Sequence, residues 1–260
     1  MSKFKAVVFD WAGTMIDFGS FAPMGVFIKA FEHFGINASI EQAREPMGKP
    51  KWDHIRSMMD DPGIAAQWNN RFGQMPTDAD VDRVYEVFVP MNEEVVADYA
   101  DLVPGAADVV KTLRDKGLKI GSTTGYTRSI MERVIPVAAA QGYEPDNLVC
   151  SDDLPEGRPG PLGMYQCFVD LVAYPPGAVI KVDDTEPGIA EGVSAGCVTV
   201  GLALSGNYAG KTADQLAELS DPEIEALRGF ATEKLKSAGA DHVIDTVADL
   251  PDLIVSLERE

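Results

Sequence analysis

The chain has 260 residues, 45% of them hydrophobic, enough to bury a large core as one large domain or one domain with an insertion. A formal net charge of −19 argues against nucleic-acid backbones and anionic membranes as partners, so an anionic substrate would need a locally positive pocket. Cys150, Cys167 and Cys197 are odd in number, lack metal-type spacing and lie in apolar segments. They fit buried free thiols, and with no signal peptide, long apolar span or lipidation motif the expectation is a cytoplasmic protein.

Phe4 to Phe9 is an apolar run too short for a helix and reads as a buried strand, which puts Asp10 at its carboxyl end. A stretch without strand signal follows. Met24–Phe34 has helical spacing and stops at Gly35, Ser39–Arg44 begins another helix, and Glu45–Gly48 forms a turn. Lys51–Met59 and Ile64–Phe72 read as helices separated by the turn Asp61-Pro62-Gly63, and Thr77 caps a longer one with Asp80 at the capping-box position. From Val103 the texture alternates. Helices are expected after Pro104-Gly105, over Thr127–Gln141, after Pro161, over Glu186–Ala195 and over Leu250–Leu257. Strands are expected over Leu118–Ser122, Asn147–Cys150, Ala178–Val182 and Cys197–Leu202, with His242–Ile244 at an edge. This alternation predicts an α/β fold, a doubly wound, mostly parallel sheet covered on both faces. Ser205–Ala238 reads as helical and acidic with no assignable chemistry.

Open α/β sheets bind ligands at the carboxyl ends of their strands, and several such ends here carry polar groups. Asp10 follows the first strand, Ser122-Thr123-Thr124-Gly125 offers hydroxyls and amides, and Asp183-Asp184-Thr185 brings a carboxylate pair. Arg158 supplies a cation. Facing carboxylates need a cation between them, and hard oxygens suit Mg²⁺. A carboxylate nucleophile, Mg²⁺, a hydroxyl and an arginine together suit phosphoryl transfer, whose transition state is stabilised by positioning and charge neutralisation.

Asp10, Thr124, Arg158 and Asp184, in that order, resemble the signatures of the haloacid dehalogenase superfamily. The resemblance implies a nucleophile at Asp10, a phosphate-binding hydroxyl at Thr124, a cation at Arg158 and a metal carboxylate at Asp184. It also implies a haloacid dehalogenase-like core (1–20 and 100–260) with an inserted helical cap domain (21–99). Phosphatases of the superfamily usually carry an acid two residues after the nucleophile. Here that residue is Ala12, so general-acid help to an alcohol leaving group, typically worth about 10²–10⁴-fold, is missing.

Asp10-Trp11-Ala12-Gly13-Thr14, Phe21-Ala22-Pro23, Pro46-Met47-Gly48 with Lys51 and His54, and Thr124-Gly125-Tyr126 resemble the phosphonatase family. That resemblance implies hydrolysis of the carbon–phosphorus bond of phosphonoacetaldehyde to acetaldehyde and phosphate, in 2-aminoethylphosphonate degradation. It further implies a Schiff base at Lys51, an aspartyl phosphate at Asp10, and a homodimer. The chemistry is coherent: direct cleavage would expel a carbanion, whereas a protonated imine beside it turns the leaving group into an enamine. Imine formation needs a neutral amine, so Lys51 must sit well below the usual lysine pKa of about 10.4. His54 is assigned a proton relay or help to Lys51, while Tyr126, Met47 and Gly48 are placed at the substrate. Lys49 is the competing lysine, expected to be exposed. Ser20 reads as a hinge residue first and a pocket residue second, Asp17 as a turn or surface residue, and His33 and His242 as structural. Many superfamily members carry another acid four residues beyond the metal aspartate. That position is Gly188, so Asp183 could supply the missing carboxylate, either directly or from behind, with Asp184 favoured as the direct ligand of Mg²⁺ beside Asp10 and the Ala12 backbone carbonyl.

Overall fold

The computed structural model describes residues 2–259. Five strands, β1 (Ala6–Phe9), β2 (Lys119–Ser122), β3 (Val179–Asp183), β4 (Val198–Leu202) and β5 (His242–Ile244), form one sheet in the order β2-β1-β3-β4-β5. All pairings are parallel, and β5 is the expected edge. Along β1 the side chains alternate between two cores: Val7 and Phe9 join Val110, Ile130 and Ile180 on one face, Ala6 and Val8 join Met164 and Leu171 on the other. A parallel sheet buried on both faces follows.

Between β1 and β2 the chain forms α1 (Ala22–His33), α2 (Ile40–Arg44), α3 (Lys51–Asp60), α4 (Pro62–Phe72), α5 (Asp78–Val95) and α6 (Ala106–Asp115). The first five share a core of their own, with Phe27, Phe31, Ile55, Trp68, Val84 and Phe88 at its centre. The Thr77 amide donates to Asp80 Oδ2 at 3.0 Å, so the shorter acid serves at the capping-box position. Then come α7 (Arg128–Ala140), α8 (Leu162–Leu171), α9 (Glu186–Ala195), α10 (Ala213–Ala217), α11 (Asp221–Ser237) and α12 (Leu250–Leu257). No helix among the described residues is long and apolar enough to cross a membrane.

Two expectations are corrected. Asn147–Cys150 is not a strand; only Val149 bridges to Thr123. On the β2 edge the amides of Ile120 and Ser122 go to side chains, Asp146 (2.8 Å) and Asn147 (3.3 Å), while the carbonyls of the same two residues accept the Asp146 and Val149 amides (2.7 and 2.9 Å). Asp17 is buried, not at the surface, because its carboxylate takes the Phe21 and Ala22 amides (3.0 and 2.9 Å) at the open start of α1. Burial raises its pKa to about 6, against those two hydrogen bonds.

Candidate active site

In this strand order the chain leaves β1 toward β2 on one side, while β3 lies on the other, so the crevice falls between the ends of β1 and β3. Phe9 is level with Ser122 and with Val182, which brings Asp10, Thr123 and Asp183 to one height. Carboxylate oxygens of Asp10, Asp183 and Asp184 lie within 4.8 Å of one another, and all three residues are buried.

Two buried cations bind the cluster together. Arg158 reaches Asp10 Oδ1 at 2.8 Å, Glu191 Oε2 at 3.0 Å and Asp183 Oδ2 at 3.4 Å, and donates to the Thr123 carbonyl at 2.8 Å. Lys181 reaches Asp183 Oδ2 at 3.1 Å and Glu191 Oε2 at 3.2 Å, and donates to Thr123 Oγ1 at 2.8 Å. Asp184 is held apart from both: Thr14 Oγ1 donates to its Oδ1 at 3.2 Å and the Asn207 amide to its Oδ2 at 2.8 Å. Backbone crowds it from two sides, since a Cβ at Gly13 or at Gly206 would stand 2.2 or 2.3 Å from its atoms.

Four buried carboxylates against two buried cations leave two negative charges uncompensated. Burial, then the Asp10 and Asp183 charges, push Asp184 well above the ordinary carboxylate range. Burial and Asp183 likewise raise Asp10 to about 6, against Arg158 and Lys181. Asp183 goes down, because Arg158, Lys181 and the Thr185 hydroxyl outweigh its burial. A hard divalent cation among these oxygens fits the donor set and the missing charge.

Over this crevice lies the turn 45–48 and the start of α3, and together they line a small pocket that is partly open to solvent. Of the residues singled out in the sequence, Asp10, Ala12, Met47, Gly48, Lys51, Thr124, Tyr126 and Arg158 line it, as does Ser20. Lys51 is only 4% exposed, its Nζ 4.6 Å from the centre of the Tyr126 ring and 5.6 Å from that of Phe27. Burial, with a smaller push from Arg158 and against the pull of Asp10, lowers its pKa to about 7. Lys49 is half-buried rather than exposed, and its ammonium donates to Ser57 Oγ at 2.8 Å.

His54 does not line the cavity. Its ring stacks on Phe27 at 3.7 Å, and Nε2 lies 2.9 Å from the Ala43 carbonyl, so that nitrogen carries the proton and Nδ1 is a buried acceptor without a partner. Burial, then Lys51, hold it well below the usual histidine range, so the ring is neutral. Asp183 and Asp184 are not among the lining residues. A Cβ at Gly188 would stand 1.9 Å from Asp183 Oδ2, so the Asp183 carboxylate fills the space that a side chain at 188 would enter.

Sequence reading missed Lys181 and Glu191, which hold Arg158 and Asp183, and Ser205–Asn207, where the structure puts polar groups on Asp184 and on the Gly13 carbonyl; the Thr123 hydroxyl, read as a phosphoryl donor, instead joins Glu191, Arg158 and Lys181. One signal for the first was present: a lysine inside the otherwise apolar strand Val-Ile-Lys-Val.

A family model described as haloacid dehalogenase-like hydrolase matches residues 4–196. The chain is 48% identical over 258 residues to a phosphonoacetaldehyde hydrolase of Paraburkholderia phytofirmans, covering 99% of this chain and 97% of that protein. It is 46% identical over 260 residues to one of Vibrio campbellii, covering 99% and 96%. The crystal structure of a phosphonoacetaldehyde hydrolase-like protein from Oleispira antarctica superimposes with a TM-score of 0.97 at 40% identity, over 99% of this chain and 93% of that one.

Proposed function

The chain belongs to the phosphonoacetaldehyde hydrolases of the haloacid dehalogenase-like hydrolase family, and from that premise we propose that it hydrolyses the carbon–phosphorus bond of phosphonoacetaldehyde to acetaldehyde and phosphate. The observation that carries this reading is the buried Lys51 amine, lowered to about 7, in the same small cavity as the Asp10 carboxylate. A phosphate-ester phosphatase has no use for such an amine, and Ala12 provides no acid for an alkoxide.

In the proposed sequence the neutral Lys51 amine adds to the aldehyde carbonyl, and loss of water gives a protonated imine. The Asp10 carboxylate then attacks phosphorus while the carbon–phosphorus electron pair moves into the imine, leaving an aspartyl phosphate and an enamine on Lys51. Water cleaves the aspartyl phosphate; protonation of the enamine carbon and hydrolysis of the imine release acetaldehyde and restore Lys51. Arg158 holds Asp10 and faces the phosphoryl oxygens, with Thr124 as a further donor. Asp10, Asp184 and the Ala12 carbonyl would hold Mg²⁺, which neutralises charge on the phosphoryl group when bound. Asp183 is already occupied by Lys181, Arg158 and Thr185 and acts from behind. Neutral His54, one turn after Lys51, is assigned proton transfer to or from Lys51 through its free Nδ1, a role that requires a water between them. Met47, Gly48 and Tyr126 shape the cavity and keep bulk water from the imine.

Residues 21–99 act in this reading as a cap over the core, and closure joins the Lys51 half of the site to the Asp10 half. Gly48 and Gly125 permit it, since a Cβ at Gly48 would meet Thr185 Oγ1 at 2.2 Å and one at Gly125 the Lys49 carbonyl at 2.8 Å. A place in 2-aminoethylphosphonate degradation, a cytoplasmic location and a homodimer complete the proposal. A coupled acetaldehyde assay on phosphonoacetaldehyde, with and without Mg²⁺, tests it. Turnover that needs the metal is expected; release of phosphate from simple esters with none from the phosphonate would overturn it.

A further inference from the structure

The helical insertion touches the sheet at a second place, away from Lys51. Arg44, the last residue of α2, points its guanidinium across the seam. Its Nη1 donates to the Gly19 carbonyl at 2.9 Å, to the Asn207 carbonyl at 3.1 Å and to Asn207 Oδ1 at 3.0 Å. Asn207 Nδ2 returns a hydrogen bond to the Arg44 carbonyl at 3.2 Å. One guanidinium nitrogen thus ties the insertion to its own hinge, at Gly19, and to a loop that follows β4.

That loop bears directly on the site. Asn207 is 3% exposed, and its backbone amide donates to Asp184 Oδ2 at 2.8 Å. Ser205, two residues before, donates through Oγ to the Gly13 carbonyl at 3.0 Å and accepts the Gly19 amide at 2.8 Å. The loop therefore grips both the turn after Asp10 and the Asp184 carboxylate, and what grips the loop from outside is a cationic side chain of the insertion.

We propose that Arg44 is a positioning residue that couples closure of the insertion to the placement of Asp184, by clamping Asn207 only when the two parts meet. The inference rests on the reading that Asp184 helps to hold the metal and that α1–α5 close over the sheet. Its chemistry is that of one cationic nitrogen, Nη1, carried across the seam to where two carbonyls and an amide oxygen converge. A lysine there keeps the charge on a shorter, more flexible stem, so it should re-form the contact only in part. With the insertion swung away, Arg44 and Asn207 are solvated, the loop loosens, and Asp184 loses the rigid donor that fixes its rotamer.

The test uses the full-length protein with Arg44→Ala, Arg44→Lys, Asn207→Ala and the double variant. Removing a group that orients a metal ligand typically costs about 10–100-fold in affinity, so Mg²⁺ titration calorimetry should show Arg44→Ala weakened by that much and Arg44→Lys partly restored. The double variant should be no weaker than Arg44→Ala, because both changes break one link. In metal-free protein, small-angle X-ray scattering should show a larger radius of gyration for Arg44→Ala than for the parent. Mg²⁺ affinity and radius unchanged in a folded Arg44→Ala, or losses that add in the double variant, overturn the proposal. These readouts do not require turnover, so a parent protein inactive on phosphonoacetaldehyde would refute the proposed reaction and leave the Arg44 test standing.

Discussion

Lowering the pH below 7 should switch off Schiff-base formation, and the structure sets where. Lys51 is pushed to about 7 chiefly by burial, from an ordinary value of 10.5. At pH 7 half the amine is neutral, against about three parts in ten thousand for an ordinary lysine, a gain of roughly 10³ in reactive amine. Below pH 7 each unit should cut the trapping rate about tenfold, and above it the rate should level off. Cyanoborohydride reduces imines across this range, so the initial rate of Lys51 labelling by phosphonoacetaldehyde, read by peptide mass spectrometry, reports the titration directly. Because the Asp10 charge pulls the Lys51 value up, Asp10→Asn should move the inflection lower. Linkage runs the same way. The unfolded amine keeps its proton until about 10.5 and the folded one releases it near 7, so Lys51 makes stability rise with pH across that window. A trapping rate that keeps climbing to pH 10, or an Asp10→Asn inflection shifted upward, would refute the reasoning.

Ala12→Asp would place a carboxylate in the cavity beside Lys51, and its charge should move the same trapping inflection above 7; an unmoved inflection contradicts this. Gly188→Asp should abolish turnover, since its Cβ would stand 1.9 Å from Asp183 Oδ2, while adding Asp183→Gly should restore some of it; steady-state assays of the three variants decide. Lys181→Met leaves Asp183 and Glu191 short of a partner in a fully buried site, so urea unfolding should show a loss of about 3–5 kcal/mol.

Most of the fold was legible because local signals and burial agreed. Apolar runs such as Ala6–Phe9 gave strands, and the helices of the insertion announced their ends with Gly35, Pro62 and Thr77. The failure at Asn147–Cys150 has a local cause. Its polar start competes for the β2 backbone with side chains, an outcome that an apolar Leu-Val-Cys ending conceals. Asp17 misled because a buried carboxylate at a helix start looks, in sequence, like any turn aspartate. Of the residues that line the cavity, Asp10, Thr124 and Arg158 were legible from polar groups near strand ends, and Met47, Gly48, Lys51 and Tyr126 from motif resemblance, which reports what touches a ligand. Arg44, Lys181, Glu191 and Asn207 act through other residues, across separations such as the 163 positions between Arg44 and Asn207. No local pattern encodes such a pairing.

The central claim is that one substrate is held by Lys51 through carbon and by Asp10 through phosphorus. Borohydride reduction during turnover, followed by peptide mapping, tests it most directly. The wild-type protein should yield Lys51 bearing an ethyl group, phosphorus gone. Asp10→Asn should yield Lys51 bearing the intact phosphonoethyl group. Label on Lys49, no label at all, or an ethyl adduct in Asp10→Asn would contradict the account.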